Sequence, residues 1–133
     1  MTMTTEEAAV WARVRPGEPW TDPAEELLRL RQDLFSQAGS WNSREAAGAL
    51  CRQARTLGAL YRYLTGEAPP RLSPLPSRRG PEELLRDLET DAGRLEALSA
   101  RLTGESCVLL RELAEADRRL FRGQLGRLLS PGR

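Results

Sequence analysis

Two aspartates interrupt apolar stripes in the second half of the chain, and these residues could do chemistry. The leucines around Asp91 and Asp117 recur at three- and four-residue spacing, which is the period of an α-helix. Asp91 lies 13 residues before Gly104, where a turn is predicted, and Asp117 lies 13 residues after it. In an antiparallel hairpin the two carboxylates would lie at one height and face the core. Paired buried carboxylates need a metal ion or another cation.

The first half of the chain contributes two more polar residues at a similar level. Arg31 lies 11 residues before a predicted turn near residue 42, and Gln53 lies 11 residues after it. The sequence therefore predicts a mid-bundle polar layer of Arg31, Gln53, Asp91 and Asp117. In this layer the guanidinium of Arg31 would satisfy both aspartates without a metal. The alternative is that one or more of the four points to solvent, because charged residues are rarely buried.

The composition excludes several classes of site. The chain has 133 residues, which suits one domain, and it contains no histidine. Catalysis by Ser-His-Asp or Cys-His groups is therefore excluded, and the commonest metal ligand is missing. A net charge of +1 provides no field that favours nucleic acid or an anionic membrane. No segment approaches the ~18 apolar residues of a membrane helix.

The cysteines and the N-terminus predict a cytoplasmic protein. No basic segment precedes an apolar run at the N-terminus, so no secretory signal is expected. Cys51 and Cys107 are expected to stay reduced and unpaired, because the predicted topology separates them by ~20 Å of helix rise. All 20 basic residues are arginine, a bias that is typical of a GC-rich bacterial genome.

Four amphipathic helices are predicted, and no strand pattern is present. They run from Pro23 to Gly39, from Ser43 to Gly66, from Pro81 to Gly104 and from about Ser106 to Leu129. Residues 1–21 form an N-terminal arm, in which residues 5–14 can form a short helix, and residues 130–133 form a tail. The sequence therefore predicts one all-α domain, a four-helix bundle over residues 22–129.

The connection between the second and third helices decides the predicted topology. It spans residues 66–80 and contains four prolines. Extended at ~3.1 Å per residue it reaches ~45 Å, whereas a helix of about 22 residues is only ~33 Å long. The link can therefore run the length of the bundle and place the second and third helices parallel, which is the long-crossover arrangement. The alternative is a loop with no defined path.

Three segments of the chain together resemble a known family. They are PGEPWTDPAEELLRL, ALYRYLTGEAPP and LRELAEADRRLFRGQLGRLL. In order and spacing they are similar to the rubrerythrin-like branch of the ferritin-like superfamily, over roughly residues 16–129. The resemblance implies a ferritin-like bundle with a di-iron site in its middle.

The metal ligands that this resemblance implies are not present in the chain. A Glu and a His three residues later would fall at Leu50 and Gln53, and a second such pair would fall at Asp117 and Leu120. A further Glu would fall at Asp91. The sequence therefore predicts a degenerate site with no cofactor; if any metal binds, Asp91 and Asp117 are the expected ligands.

The predicted function is association rather than catalysis. The chain is expected to be a non-catalytic ferritin-like bundle that binds a protein partner or forms a homodimer, without nucleic acid or membrane. Trp11, Trp20 and Trp41 are the expected contacts. The first alternative is a residual metal-binding or oxidoreductase protein that uses the two aspartates with Glu89 or Glu115. A weaker alternative is a small-ligand pocket inside the bundle.

Overall fold

The computed structural model describes residues 22–73 and 79–129, and within these ranges the chain is helical and has no β-strand. The helices are α1 (Pro23–Ala38), α2 (Arg44–Thr65), α3 (Pro81–Ser99) and α4 (Gly104–Leu129). The prediction of an all-α chain with four helices is confirmed. None of these helices is both long enough and apolar enough to cross a membrane. The predicted arm over residues 1–21 and the predicted tail over residues 130–133 lie outside the described residues.

Local signals set most of the helix ends. The Asp22 carboxylate caps α1 by accepting hydrogen bonds from the backbone N–H groups of Ala24 (2.7 Å) and Glu25 (3.2 Å). The Ser43 hydroxyl caps α2 in the same way. Gly66 ends α2 with a φ of 76°, a left-handed conformation that glycine adopts without a steric penalty. These boundaries agree with the sequence prediction.

The end of α3 differs from the prediction. The helix was expected to continue to Gly104, but it ends at Ser99. Beyond it the backbone tightens, because Arg101 and Leu102 each donate to a carbonyl three residues earlier rather than four. Gly104, with a φ of 64°, instead begins α4 and allows the chain to turn into that helix.

The apolar core is built from leucine and alanine. α1 packs along α2, and α3 packs along α4, so the molecule consists of two helical hairpins that also touch through α1–α3 and α2–α4. Each helix contributes fully buried side chains to one cluster: Leu27, Leu30, Leu34, Leu50, Leu57, Leu88, Leu95, Leu98 and Leu110. Full burial of one leucine contributes roughly 1.5–3 kcal/mol, so this cluster is the main source of stability.

The described part of the link after α2 lies against α1. The Arg31 guanidinium donates to the Pro70 carbonyl oxygen at 2.7 Å. The Gln32 amide both donates to the Ser73 carbonyl (2.8 Å) and accepts from the Ser73 N–H (3.1 Å). Gly58 permits the close approach, since a Cβ there would lie 3.1 Å from Arg31 Nε. The first part of the link is therefore held on the α1–α2 hairpin.

Candidate functional site

Asp91 is a buried carboxylate that is fully engaged by neighbouring donors. It lies on α3 between Leu88 and Leu95, and only 2 % of it is exposed. Gln37 Nε2 of α1 donates to Asp91 Oδ2 at 2.7 Å, and Arg94 Nη1 donates to Asp91 Oδ1 at 3.3 Å. Asp91 thus faces the core, as its position in the stripe predicts.

Arg94 joins α3 to α1 through several carboxylates. Its Nη1 donates to Asp33 Oδ2 at 2.7 Å, and its Nε and Nη2 donate to Glu26 Oε1 at 3.3 and 3.2 Å. Burial lowers the pKa of Arg94, but the surrounding carboxylates, Asp33 foremost, outweigh burial and raise that pKa overall. Arg94 therefore remains a cation, and three carboxylates share its charge.

Burial dominates the ionisation of Asp91. It raises the pKa of Asp91 from 3.8 to about 6, although the Gln37 hydrogen bond and the Arg94 charge both act to lower it. The negative charges of Asp33 and Asp87 add to the rise. The carboxyl group therefore changes its charge just below neutral pH instead of near pH 4.

Asp117 lies deeper in the core and has no comparable partners. It belongs to α4 and is 0 % exposed. Among the residues that the structure describes, neither of its carboxyl oxygens has a hydrogen-bond partner. Burial raises the pKa of Asp117 to about 7; the facing Gln53 amide lowers it somewhat, and the charge of Asp91 raises it further. The Gln53 amide thus acts on Asp117 from α2 without the geometry of a hydrogen bond.

The polar core differs from the predicted layer in its α1 member. Gln53, Asp91 and Asp117 are buried, but Arg31 is only half-buried and binds the Pro70 carbonyl on the outside of the hairpin. The prediction that Arg31 enters the layer is therefore wrong. Burial beneath the link also lowers the pKa of Arg31.

Gln37 takes the place on α1 that was predicted for Arg31, and Arg94 supplies the cation. Gln37 follows Leu30 and Leu34 at seven and three residues, so it continues the buried stripe of α1. That spacing is the signal that could have identified Gln37. Arg94 could have been identified from its place one helical turn after Asp91, where an i, i+3 ion pair can form.

The described side chains do not fit a di-iron centre. No group of three or more His, Cys, Asp or Glu residues is placed to hold a metal ion in the described ranges 22–73 and 79–129. Both Asp91 oxygens accept from Gln37 and Arg94, and the guanidinium would repel an incoming metal cation. Glu89 and Glu115, the extra ligands considered above, are exposed. The site therefore lacks both the donors and the charge that two iron ions require.

A cavity lies at the end of the bundle where the α1–α2 turn meets the start of α3 and the end of α4. Its volume is about 390 Å³. The lining combines apolar and polar side chains, among them Trp41, Pro81, Leu84, Leu85, Leu128, Ser43, Arg79, Gln124 and Arg127. Trp41 is half-buried, and its indole N–H is buried without a hydrogen-bond partner among the described residues. This cavity lies at the bundle end and not between the helices at mid-height.

The remaining predicted residues are placed as follows. Cys51 is exposed on α2, Cys107 is half-buried in the first turn of α4, and both are free thiols, as predicted. Trp11 and Trp20, the other expected partner contacts, lie outside the described residues.

Comparison with protein-family models, with curated proteins and with solved structures found no match to this chain. The likeness to rubrerythrin-like proteins therefore stays a prediction from the three sequence segments.

Proposed function

We propose that this chain is a non-catalytic helical bundle of ferritin-like connectivity that acts in the cytoplasm by associating with a second copy of itself. The observation that carries this proposal is a partly apolar cavity at one end of the bundle, where two leucines at the end of α4 are exposed. Nucleic acid is not an expected partner, because the net charge is only +1.

Contacts between α1 and α3 support the proposed connectivity. Going along α1, Glu26 and Asp33 contact Arg94, whereas Gln37 near the end of α1 contacts the earlier residue Asp91. Residue numbers rise in one helix while they fall in the other, which is the order expected of antiparallel helices.

Contacts between α2 and α4 follow the same order. Ser43 at the start of α2 accepts from Gln124 near the end of α4, and Gln53 faces Asp117 one to two turns earlier on α4. If both hairpins are antiparallel as well, α2 and α3 run parallel, and the link between them must travel the length of the bundle. The contacts of residues 66–73 with α1 support such a crossover.

The closed polar core supports a function without catalysis. Asp91 and Asp117 are 2 % and 0 % exposed, so a substrate in solvent does not reach either carboxylate. Asp91 is also occupied by the Gln37 amide and the Arg94 guanidinium. A general acid or base must lie within hydrogen-bond reach of its substrate, and these carboxyl groups do not.

The apolar surface at the bundle end supports association. We call it the bundle-end surface and define it by Trp41, Pro81, Leu85, Leu128 and Leu129. Leu128 is 39 % exposed and lines the cavity, and Leu129 next to it is 73 % exposed. A projecting leucine beside a concave, partly apolar cavity is self-complementary, since two copies related by a two-fold axis can exchange it.

The charges around this surface favour a second copy over a strongly charged partner. Arg127 forms an ion pair with Glu45 at 2.7 Å, and Arg79 forms one with Asp87. The rim is therefore locally neutral. A neutral rim does not repel its own copy, and it offers little attraction to a highly acidic or basic protein.

The test is sedimentation equilibrium of the full chain over concentrations from about 1 μM to about 1 mM, which spans the affinities of ordinary weak and moderate dimers. We expect a monomer–dimer equilibrium. Leu129→Glu should raise the dissociation constant at least about fivefold, since an exposed apolar anchor contributes more than ~1 kcal/mol to an interface.

Val108→Glu is the matched control for Leu129→Glu. Val108 is also an exposed apolar residue of α4, at 54 %, but it lies near the opposite end of that helix. The substitution should leave the dissociation constant unchanged. A wild-type chain that stays monomeric throughout would refute self-association, and weakening by Val108→Glu alone would move the contact to the other end.

A further inference from the structure

We propose that the interior of the bundle is a proton-binding site, in which Asp117 carries a proton below neutral pH and its loss as the pH rises through neutrality loosens the contact between the two hairpins. The proposal concerns the core and does not depend on the association described above.

Several buried acceptors of the core lack a hydrogen-bond donor. Both Asp117 oxygens, Gln53 Oε1 and Gln37 Oε1 are buried without a partner among the described residues. Unsatisfied buried acceptors are strongly unfavourable, and a carboxylate without donors is the most unfavourable of them. One proton converts Asp117 from a pure acceptor into a donor, and the Gln53 amide that faces it contains an acceptor oxygen, Oε1, that has no partner among the described residues.

Among the described residues, no cation fully compensates a negative Asp117. On α3, Arg94 is already shared among Glu26 and Asp33 of α1 and Asp91 of α3 itself. The polar group that faces Asp117 from α2 is the neutral Gln53.

The nearest cation on α4 itself is turned towards a different helix. Arg118 makes a two-pronged contact with Glu96 of α3, at 2.7 and 2.8 Å, and also approaches Glu115. Its charge therefore lowers the pKa of Asp117 only in part, and the charge of Asp91 acts in the opposite direction. A proton is the positive charge that this environment lacks.

The folded state should consequently bind this proton more tightly than the unfolded chain does. Burial raises the pKa of Asp117 from 3.8 to about 7, so the folded protein holds the proton between those values and the unfolded chain does not. Stability then falls as pH rises from about 4 through about 7 and levels off above that range. The carboxylate formed at high pH faces α2, so its desolvation weakens the α2–α4 contact, which is far less extensive than the contacts within each hairpin.

The first experiment follows the side-chain carboxyl carbons of the aspartates by ¹³C NMR in the full chain from pH 3 to pH 9. We expect one aspartate of the wild type to titrate near 7, as burial of Asp117 predicts, and that signal to be absent from Asp117→Asn. If no aspartate titrates near 7, and the highest titration is that of Asp91 near 6, the proposal is wrong. The wild-type titration decides this point even if a variant folds poorly.

The second experiment compares backbone hydrogen exchange of the wild type and Asp117→Asn on either side of pH 7. Asparagine has the shape of the protonated carboxyl group and carries no charge. After correction for intrinsic exchange, α2 and α4 of the wild type should lose protection at pH 9 relative to pH 6, while the variant should not. An equal change in protection in both proteins would show that Asp117 does not control the α2–α4 contact. Asp33→Asn, a charge change at a half-exposed partner of Arg94, is the control and should retain the wild-type response.

Discussion

Replacing Arg94 by methionine tests a charge that three carboxylates of α1 and α3 share. The Arg94 side chain is 29 % exposed and binds the Asp91 carboxylate, which is 3 % exposed. It also binds the carboxylates of Glu26 and Asp33, which are more exposed. Methionine retains most of the apolar stem but leaves Asp91 with the Gln37 amide alone. Removing one partner of a fully buried ion pair costs 3–5 kcal/mol, and half-exposed pairs contribute about 0–1 kcal/mol. For this half-buried case we expect Arg94→Met to lower the free energy of unfolding by about 2–4 kcal/mol at pH 8.

The pH dependence and a double variant make this prediction specific. The pKa of Asp91 is already raised to about 6 and should rise further without Arg94, so below that pH the carboxyl group is protonated and no longer needs the cation. The loss should therefore be smaller at pH 5 than at pH 8, as measured by urea unfolding. Adding Asp91→Asn should recover part of the stability at pH 8. Equal losses of stability at both pH values, or no recovery of stability in the double variant, would refute the reasoning. The control is Arg118→Met, which removes an exposed ion pair with Glu96 and should change stability little at either pH.

Two further predictions concern stability. Asp117→Asn should stabilise the protein at pH 8 by at most ~4 kcal/mol, because the native pKa of Asp117 is raised from 3.8 to about 7 and each pKa unit is worth ~1.4 kcal/mol. Urea unfolding should show that this gain in stability vanishes at pH 4. Destabilisation by the substitution at pH 8 would mean that a bound cation satisfies the carboxylate. Gly93→Ala, in an exposed stretch of α3 with open space around the new methyl group, should stabilise by roughly 0.5–1 kcal/mol through helix propensity. Gly58→Ala should increase stability less than Gly93→Ala does, or decrease it, because the new Cβ would lie 3.1 Å from Arg31 Nε. Equal increases in stability at both glycines in thermal unfolding would show that the link does not press on α2.

The helices could be predicted because their signals are local. An aspartate cap before Pro23, a glycine at position 66 and leucines at helical spacing act through the nearest turns of the same chain. These features led to correct boundaries for α1 and α2. The end of α3 was missed because Gly104 suits the end of one helix and the start of the next equally well, and the sequence does not distinguish the two uses.

The sequence also predicted that Gln53, Asp91 and Asp117 point into the core, since each continues a buried stripe on its own helix. Their partners were not predicted. Successive residues of a helix differ by about 100° in direction, so Arg31 and Gln37, six residues apart, point about 120° away from each other, and only the rotation of α1 against α3 decides which of them enters the core. A long arginine side chain can also reach several different hydrogen-bond acceptors. Only the packed positions of α1, α2 and the link decide that Arg31 binds the Pro70 carbonyl.

The sequence by itself determined an all-helical chain of four leucine-rich helices, because helix propensity, capping and periodicity act over a few residues. The tertiary structure decided the chemistry of the core. It brought Arg94 to Asp91, Asp33 and Glu26, and it left Asp117 without a donor among the described residues. The ionisation of a buried carboxyl group depends on solvent exclusion and on charges from other helices, and both arise only when the helices pack together.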